Sequence, residues 1–70
     1  MTNNKPEFIR ENIYRLSTIR TSKGLTRKDL SRSVGMPEYL IRGYEEGYRS
    51  PSRKNYNKLA DFFDWQVWEK

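Results

Sequence analysis

Cysteine and histidine are both absent from this chain of 70 residues. Their absence excludes disulfide bridges, the usual Cys and His zinc sites, and catalysis by a thiol or an imidazole. No stretch approaches the roughly 20 apolar residues needed to cross a bilayer. No apolar segment follows Met1–Pro6, so a signal peptide is not expected either. We therefore expect a single small domain without a metal, a cofactor or a membrane segment.

The chain carries more positive than negative charges. Fourteen Lys and Arg face nine Asp and Glu, which gives a net charge of +5 at pH 7. A surplus of this size in so short a chain favours a polyanionic partner, with mere solubility as the alternative explanation. Aromatic residues make up 14% of the sequence, and this content argues against disorder.

The hydrophobic pattern is helical throughout and predicts an all-α fold, a compact bundle of four to five short helices. Residues 1–6 are expected to form a tail, and residues 7–70 the domain. A first helix is predicted over residues 7–22, where apolar residues recur every three or four positions, and Gly24 ends it. A last helix is predicted to start after Ser52, which can cap it. Trp65 to Trp68 is expected to form one further helical turn.

The segment from about 26 to 47 predicts a helix-turn-helix. Thr26 and Asp29 have the spacing of a capping box, which marks the start of the second helix. Gly35 can adopt a positive φ, so it ends that helix and provides a tight turn. A third helix follows and stops at Gly47. Two short helices joined by a turn that contains glycine are typical of this motif.

The same periodicity predicts the core. Its expected members are Ile13, Leu16, Ile19, Leu25, Leu30, Val34, Ile41, Tyr44, Leu59, Phe62 or Phe63, and Trp65 or Trp68.

Between residues 13 and 68 the chain resembles the helix-turn-helix family of Cro and C1-type phage repressors. The matching positions, in order, are Arg20, Gly24-Leu25-Thr26, Leu30-Ser31, Gly35, Ile41, Glu45-Glu46-Gly47, Pro51 and Leu59-Ala60. With its start and its Trp-rich end, the chain is also similar to the modulator-of-repression proteins of lactococcal temperate phages. The resemblance implies a regulator in the cytoplasm of a bacterial host, with no enzymatic activity and no small-molecule substrate.

The resemblance also implies roles for individual residues. The third helix would be the recognition helix, with Glu38, Tyr39, Leu40, Arg42 and Gly43 facing a partner or a base. The residues expected to meet phosphates are Arg27, Arg49, Ser50, Ser52 and Arg53. Arg20 and Glu45 would form a structural ion pair that ties the first helix to the third.

The third helix departs from the family pattern in its outward residues. Pro37, Glu38, Tyr39 and Leu40 stand where polar, hydrogen-bonding side chains are usual. Residues 37–47 carry one arginine and three glutamates, a net −2 within a chain of +5. An acidic helix is disfavoured in a groove lined with phosphates, whereas aromatic anchors among mixed charges are typical of protein interfaces.

Two functions follow from these observations. The first is an antirepressor that binds the DNA-binding domain of a phage C1-type repressor through the third helix. The second is a Cro-like repressor that binds operator DNA directly, as the net charge and the arginines favour. DNA binding by the chain alone is expected to be weak, and binding jointly with the repressor stays open. An enzyme is not expected, because Glu45 and Glu46 are neighbours that point apart on a helix.

Overall fold

The computed structural model describes residues 5–69, and within them it has five helices and no strand. They are α1 (Glu7–Tyr14), α2 (Leu16–Ser22), α3 (Arg27–Val34), α4 (Glu38–Glu46) and α5 (Arg53–Phe63). The all-α prediction is confirmed. Of the tail predicted over residues 1–6, the first four residues lie outside the described range.

The first predicted helix is two helices. Arg15, with φ −95° and ψ 4°, interrupts the helical geometry between α1 and α2. The two halves of the apolar stripe pack into different parts of the core: Ile9 contacts Tyr56 and Ala60, whereas Leu16 belongs to the cluster around α3 and α4. The prediction of one helix over residues 7–22 is therefore wrong, because periodicity does not indicate a change of packing partner along one apolar stripe.

The helix-turn-helix consists of α3, α4 and the turn between them. The Thr26 hydroxyl accepts the Asp29 N–H at 3.0 Å, and the Asp29 carboxylate accepts the Thr26 N–H at 3.0 Å, which completes the predicted capping box. Gly35 ends α3 with φ 69°, a conformation that glycine adopts without steric cost. The Ser31 hydroxyl then donates to the Met36 carbonyl at 2.6 Å and fixes the turn.

The main core lies beneath this motif. Its buried members are Leu16, Leu30, Met36, Ile41, Tyr44, Leu59 and Phe63. Most were predicted, and Phe63 rather than Phe62 takes the inward position. Leu25 is half-buried and Ile13, Ile19 and Val34 pack at the edge of the core, so these four were predicted deeper than they lie. Met36 was missed because it belongs to the turn and to no helical stripe.

A second, aromatic cluster joins α1 to α5. Tyr56 is fully buried, and Trp65 stacks on its ring with centroids 5.7 Å apart, while Trp68 meets it edge-on at 6.2 Å. The segment that carries both tryptophans is not helical, which corrects the predicted last turn. Asn57 holds it instead, accepting the Trp68 N–H at 2.8 Å and donating to the Trp68 carbonyl at 3.0 Å.

Candidate recognition surface on the fourth helix

The inner side of α4 is fixed by a buried carboxylate. Glu45, with a side chain 1% exposed, accepts two hydrogen bonds from Arg20, at 2.6 and 3.1 Å. Arg27 donates to the same carboxylate at 2.8 Å from the start of α3. A third Arg20 N–H donates to the Leu25 carbonyl at 2.6 Å. The structure thus brings Arg20 and Glu45 together as expected and adds Arg27, which had been assigned to a phosphate.

The hydrogen bonds at this site also set the ionisation of Glu45. Burial alone would raise the pKa of the carboxyl, because it penalises the charged form. The hydrogen bonds from Arg20 and Arg27 outweigh that effect, so the pKa lies below its ordinary value. The group is a carboxylate at neutral pH, and its charge is balanced inside the molecule.

Glu46 is also paired with arginines. Its carboxylate lies 3.6 Å from Arg27 and 3.4 Å from Arg42, the latter one turn away on the same helix. Two of the three glutamates in residues 37–47 are therefore matched by guanidinium groups, those of Arg20 and Arg27 on other helices and that of Arg42 on α4 itself. The acidic face inferred from the linear charge count does not exist as a surface in the folded chain.

The outward residues of α4 are fewer than predicted. Glu38, Tyr39 and Arg42 are exposed, and the Tyr39 side chain is 60% accessible. Leu40 is half-buried and packs against the main core, so only part of its side chain is available to a partner. Gly43 is buried, which corrects its assignment to the outward set.

What covers Gly43 is the side chain of Arg49. A Cβ atom added to Gly43 would overlap the Arg49 Cδ and lie 2.7 Å from its Cγ. The Arg49 guanidinium continues to Tyr39, where it lies 5.1 Å from the centre of the ring. The outer face of α4 is thus built from its own first turn and from one residue of the following loop.

This geometry agrees with the comparison with known protein families. A family model for the helix-turn-helix, of the Cro/C1 type, matches residues 16–64. The chain belongs to the Cro/C1-type helix-turn-helix family. The family consists of DNA-binding regulators of transcription, so a DNA-binding regulator is the general function. No curated protein and no solved structure matches the chain significantly.

In this helix-turn-helix protein the residues predicted to contact phosphates have separate contacts within the chain. Arg27 holds Glu45, and Arg49 lies over Tyr39. The Arg53 guanidinium lies over Trp68 of the aromatic cluster, 5.2 Å from its ring centre. Ser52 caps α5 by accepting the Asn55 N–H at 3.1 Å, and Ser50 is exposed in the loop before it. All three arginines of this predicted set therefore have partner side chains within the chain.

Other kinds of site find no support in the described residues. Residues 5–69 contain no group of three Asp, Glu, Cys or His side chains able to hold a metal ion. No helix in that range is long and apolar enough to cross a membrane. The outer face of α4, with Arg49 laid across it, is the candidate functional site.

Proposed function

We propose that this protein regulates a phage lysis–lysogeny switch as an antirepressor, by binding the DNA-binding domain of a C1-type repressor through the outer face of α4. The observation that carries the proposal is Tyr39. Its ring stands in the first turn of the recognition helix, largely exposed, with Glu38 beside it and the Arg49 guanidinium over it. A rigid aromatic residue among mixed charges is a common anchor of protein interfaces.

The balance of charge around α4 supports a protein partner. Arg27 and Arg42 are paired with Glu45 and Glu46, so neither guanidinium is fully available to a phosphate. Surfaces that bind DNA are much more positive than surfaces that bind proteins. The face also lacks Gln, Asn or Ser side chains at its exposed positions, which would read base edges.

The chemistry of the partner follows from the same residues. A repressor presents Lys, Arg and amide groups on its own recognition helix, and Glu38 can accept charge-assisted hydrogen bonds from them. Tyr39 would fill an apolar pocket between those groups. Binding would cover the DNA-reading surface of the repressor, so operator binding and complex formation would compete.

The decisive experiment compares two double variants. Glu38→Ala with Tyr39→Ala removes the proposed contacts. Glu11→Ala with Tyr14→Ala removes the same residue types from exposed positions on α1, where Tyr14 lies beside the C-terminal end of α4. Each double variant is mixed with the C1-type repressor of the phage that encodes this protein. Co-elution of the two proteins is measured, and binding of the repressor to its operator is followed by gel shift.

We expect the α4 variant to fold, as judged by circular dichroism, but to lose co-elution and to leave the repressor on its operator. The α1 variant should retain both activities of the wild type. If the α4 variant behaves like the wild type in both assays, the interface lies elsewhere and the proposal is wrong.

Direct operator binding is the second candidate, and the net charge of +5 favours it. Under the antirepressor proposal, DNA binding by the isolated protein is weak and falls steeply with salt, because phosphate contacts dominate it. A gel shift with a candidate operator over a range of salt concentrations tests this. Tight, sequence-specific binding at physiological salt would favour the Cro-like function instead.

A further inference from the structure

Arg49 lies along the outer face of α4 in the space left by Gly43. The three atoms nearest to a Cβ built on Gly43 all belong to the Arg49 side chain. The Arg49 N–H also donates to the Gly43 carbonyl at 3.2 Å, which anchors the loop to the helix end. Glycine in the middle of a helix is destabilising relative to alanine. At this position it makes room for the stem of an arginine from the same chain.

The far end of Arg49 is oriented by Tyr39. The guanidinium carbon lies 5.1 Å from the ring centre, one helical turn toward the start of α4. A cation–π contact of this kind places no hydrogen-bond acceptor on the guanidinium and leaves its N–H donors available. No carboxylate among residues 5–69 forms an ion pair with Arg49, in contrast to Arg20, Arg27 and Arg42. The group is thus held in place with unused donors.

We propose that Arg49 is the residue with which this protein reads a base in the major groove of DNA, and that the base is guanine. The second helix of a helix-turn-helix places its first turn against base edges, and Tyr39 holds the guanidinium at that turn. An arginine fork matches the O6 and N7 acceptors of guanine. The inference rests on the DNA-binding function of the family. It uses the same outer face of α4 as the antirepressor proposal, so the protein would bind DNA and the repressor one at a time.

The test uses the full chain and a library of short DNA duplexes with a randomised centre, selected for binding at low salt. The wild-type protein should enrich guanine at a fixed position. Arg49→Lys keeps the charge but loses the fork, so it should lose roughly tenfold of that preference with an unchanged dependence on salt. Arg10→Lys on α1, an exposed arginine outside this face, is the matched control and should select as the wild type does.

Gly43→Ala gives a second, independent arm. The added methyl group displaces the Arg49 side chain without removing any hydrogen-bond donor. The Gly43→Ala variant should therefore lose the preference for guanine while remaining folded, as judged by circular dichroism. The proposal is overturned if the wild type enriches no guanine, or if Arg49→Lys retains the enrichment. It is also overturned if Arg49→Lys alters only binding to the repressor, since Arg49 would then serve a protein carboxylate.

Discussion

The two sides of α4 are held by different interactions, although both belong to one helix of nine residues. On the inner side, Ile41 and Tyr44 are buried in the core and Glu45 is held by arginines from two other helices. On the outer side, Tyr39 is largely exposed, and Arg49 of the following loop lies over its ring. The inner side determines where the helix sits. The outer side determines which partner the helix binds, and its residues can differ among related proteins without a change of fold.

Replacing Glu45 by Gln tests the inner side and should have the largest effect. It leaves Arg20, whose side chain is 9% exposed, without its counter-charge. Removal of one partner of a buried pair costs about 3–5 kcal/mol. Urea unfolding followed by circular dichroism measures the free energy of unfolding. Glu46→Gln is the control and should cost about 1 kcal/mol or less, because its pairs are partly solvated.

The same variant changes the dependence of stability on pH. The pKa of Glu45 is lower in the folded protein than its ordinary value of 4.5, so the unfolded chain binds more protons between the two values. The stability that Glu45 contributes is fully present above pH 4.5 and is lost as the pH falls toward the folded pKa. Glu45→Gln should therefore have a shallower acid slope than the wild type. Equal slopes would mean that the carboxylate is not held as described.

Ile41→Ala tests the apolar part of the inner side. Ile41 has no exposed surface, and truncation of such a residue costs about 2–5 kcal/mol. In a domain of this size that loss is a large part of the total stability. Thermal unfolding by circular dichroism is the measurement. Leu40→Ala, at the neighbouring and only half-buried position, should cost less. An Ile41→Ala protein as stable as the wild type would refute the placement of α4.

The sequence predicted the inner side well because its signals are local or periodic. Caps at Thr26 and Ser52, turns at Gly35 and Gly47, and the apolar spacing all specify helices by short-range chemistry. It failed where long-range packing decides. The break at Arg15 depends on two separate clusters.

The outer side was harder to predict for the same reason. The sequence gives no indication that Arg49 reaches back across α4 to Tyr39. The sequence signal available for this contact was Gly43. Glycine brings no advantage to the middle of a helix unless another part of the molecule must approach the helix closely there. The role of each outer residue in binding stays a prediction until a partner or a DNA site is tested.

The stability of the Tyr39→Ala variant should distinguish the outer side of α4 from the inner side most clearly. The residue is exposed, so its loss costs no core packing and removes only the stacked guanidinium, a contact worth about 0.5–1 kcal/mol at exposed sites. The free energy of unfolding from urea titration should change by no more than this. A loss as large as that of Ile41→Ala would show that Tyr39 belongs to the fold and that no independent outer side exists.

The smallest predicted effect is a coupling between Tyr39 and Gly43. Gly43→Ala gains up to about 1 kcal/mol of helix propensity, but its methyl group must displace the Arg49 stem and break the cation–π contact of about 0.5–1 kcal/mol, so the result should be a small net loss of stability. The two changes should not add, because each removes the same Arg49–Tyr39 contact. Tyr39→Ala should lower the free energy of unfolding by its full amount in the wild type and by almost nothing in the Gly43→Ala background. If it costs the same in both backgrounds, the methyl group has not displaced Arg49, and the arginine is not seated across α4 in solution.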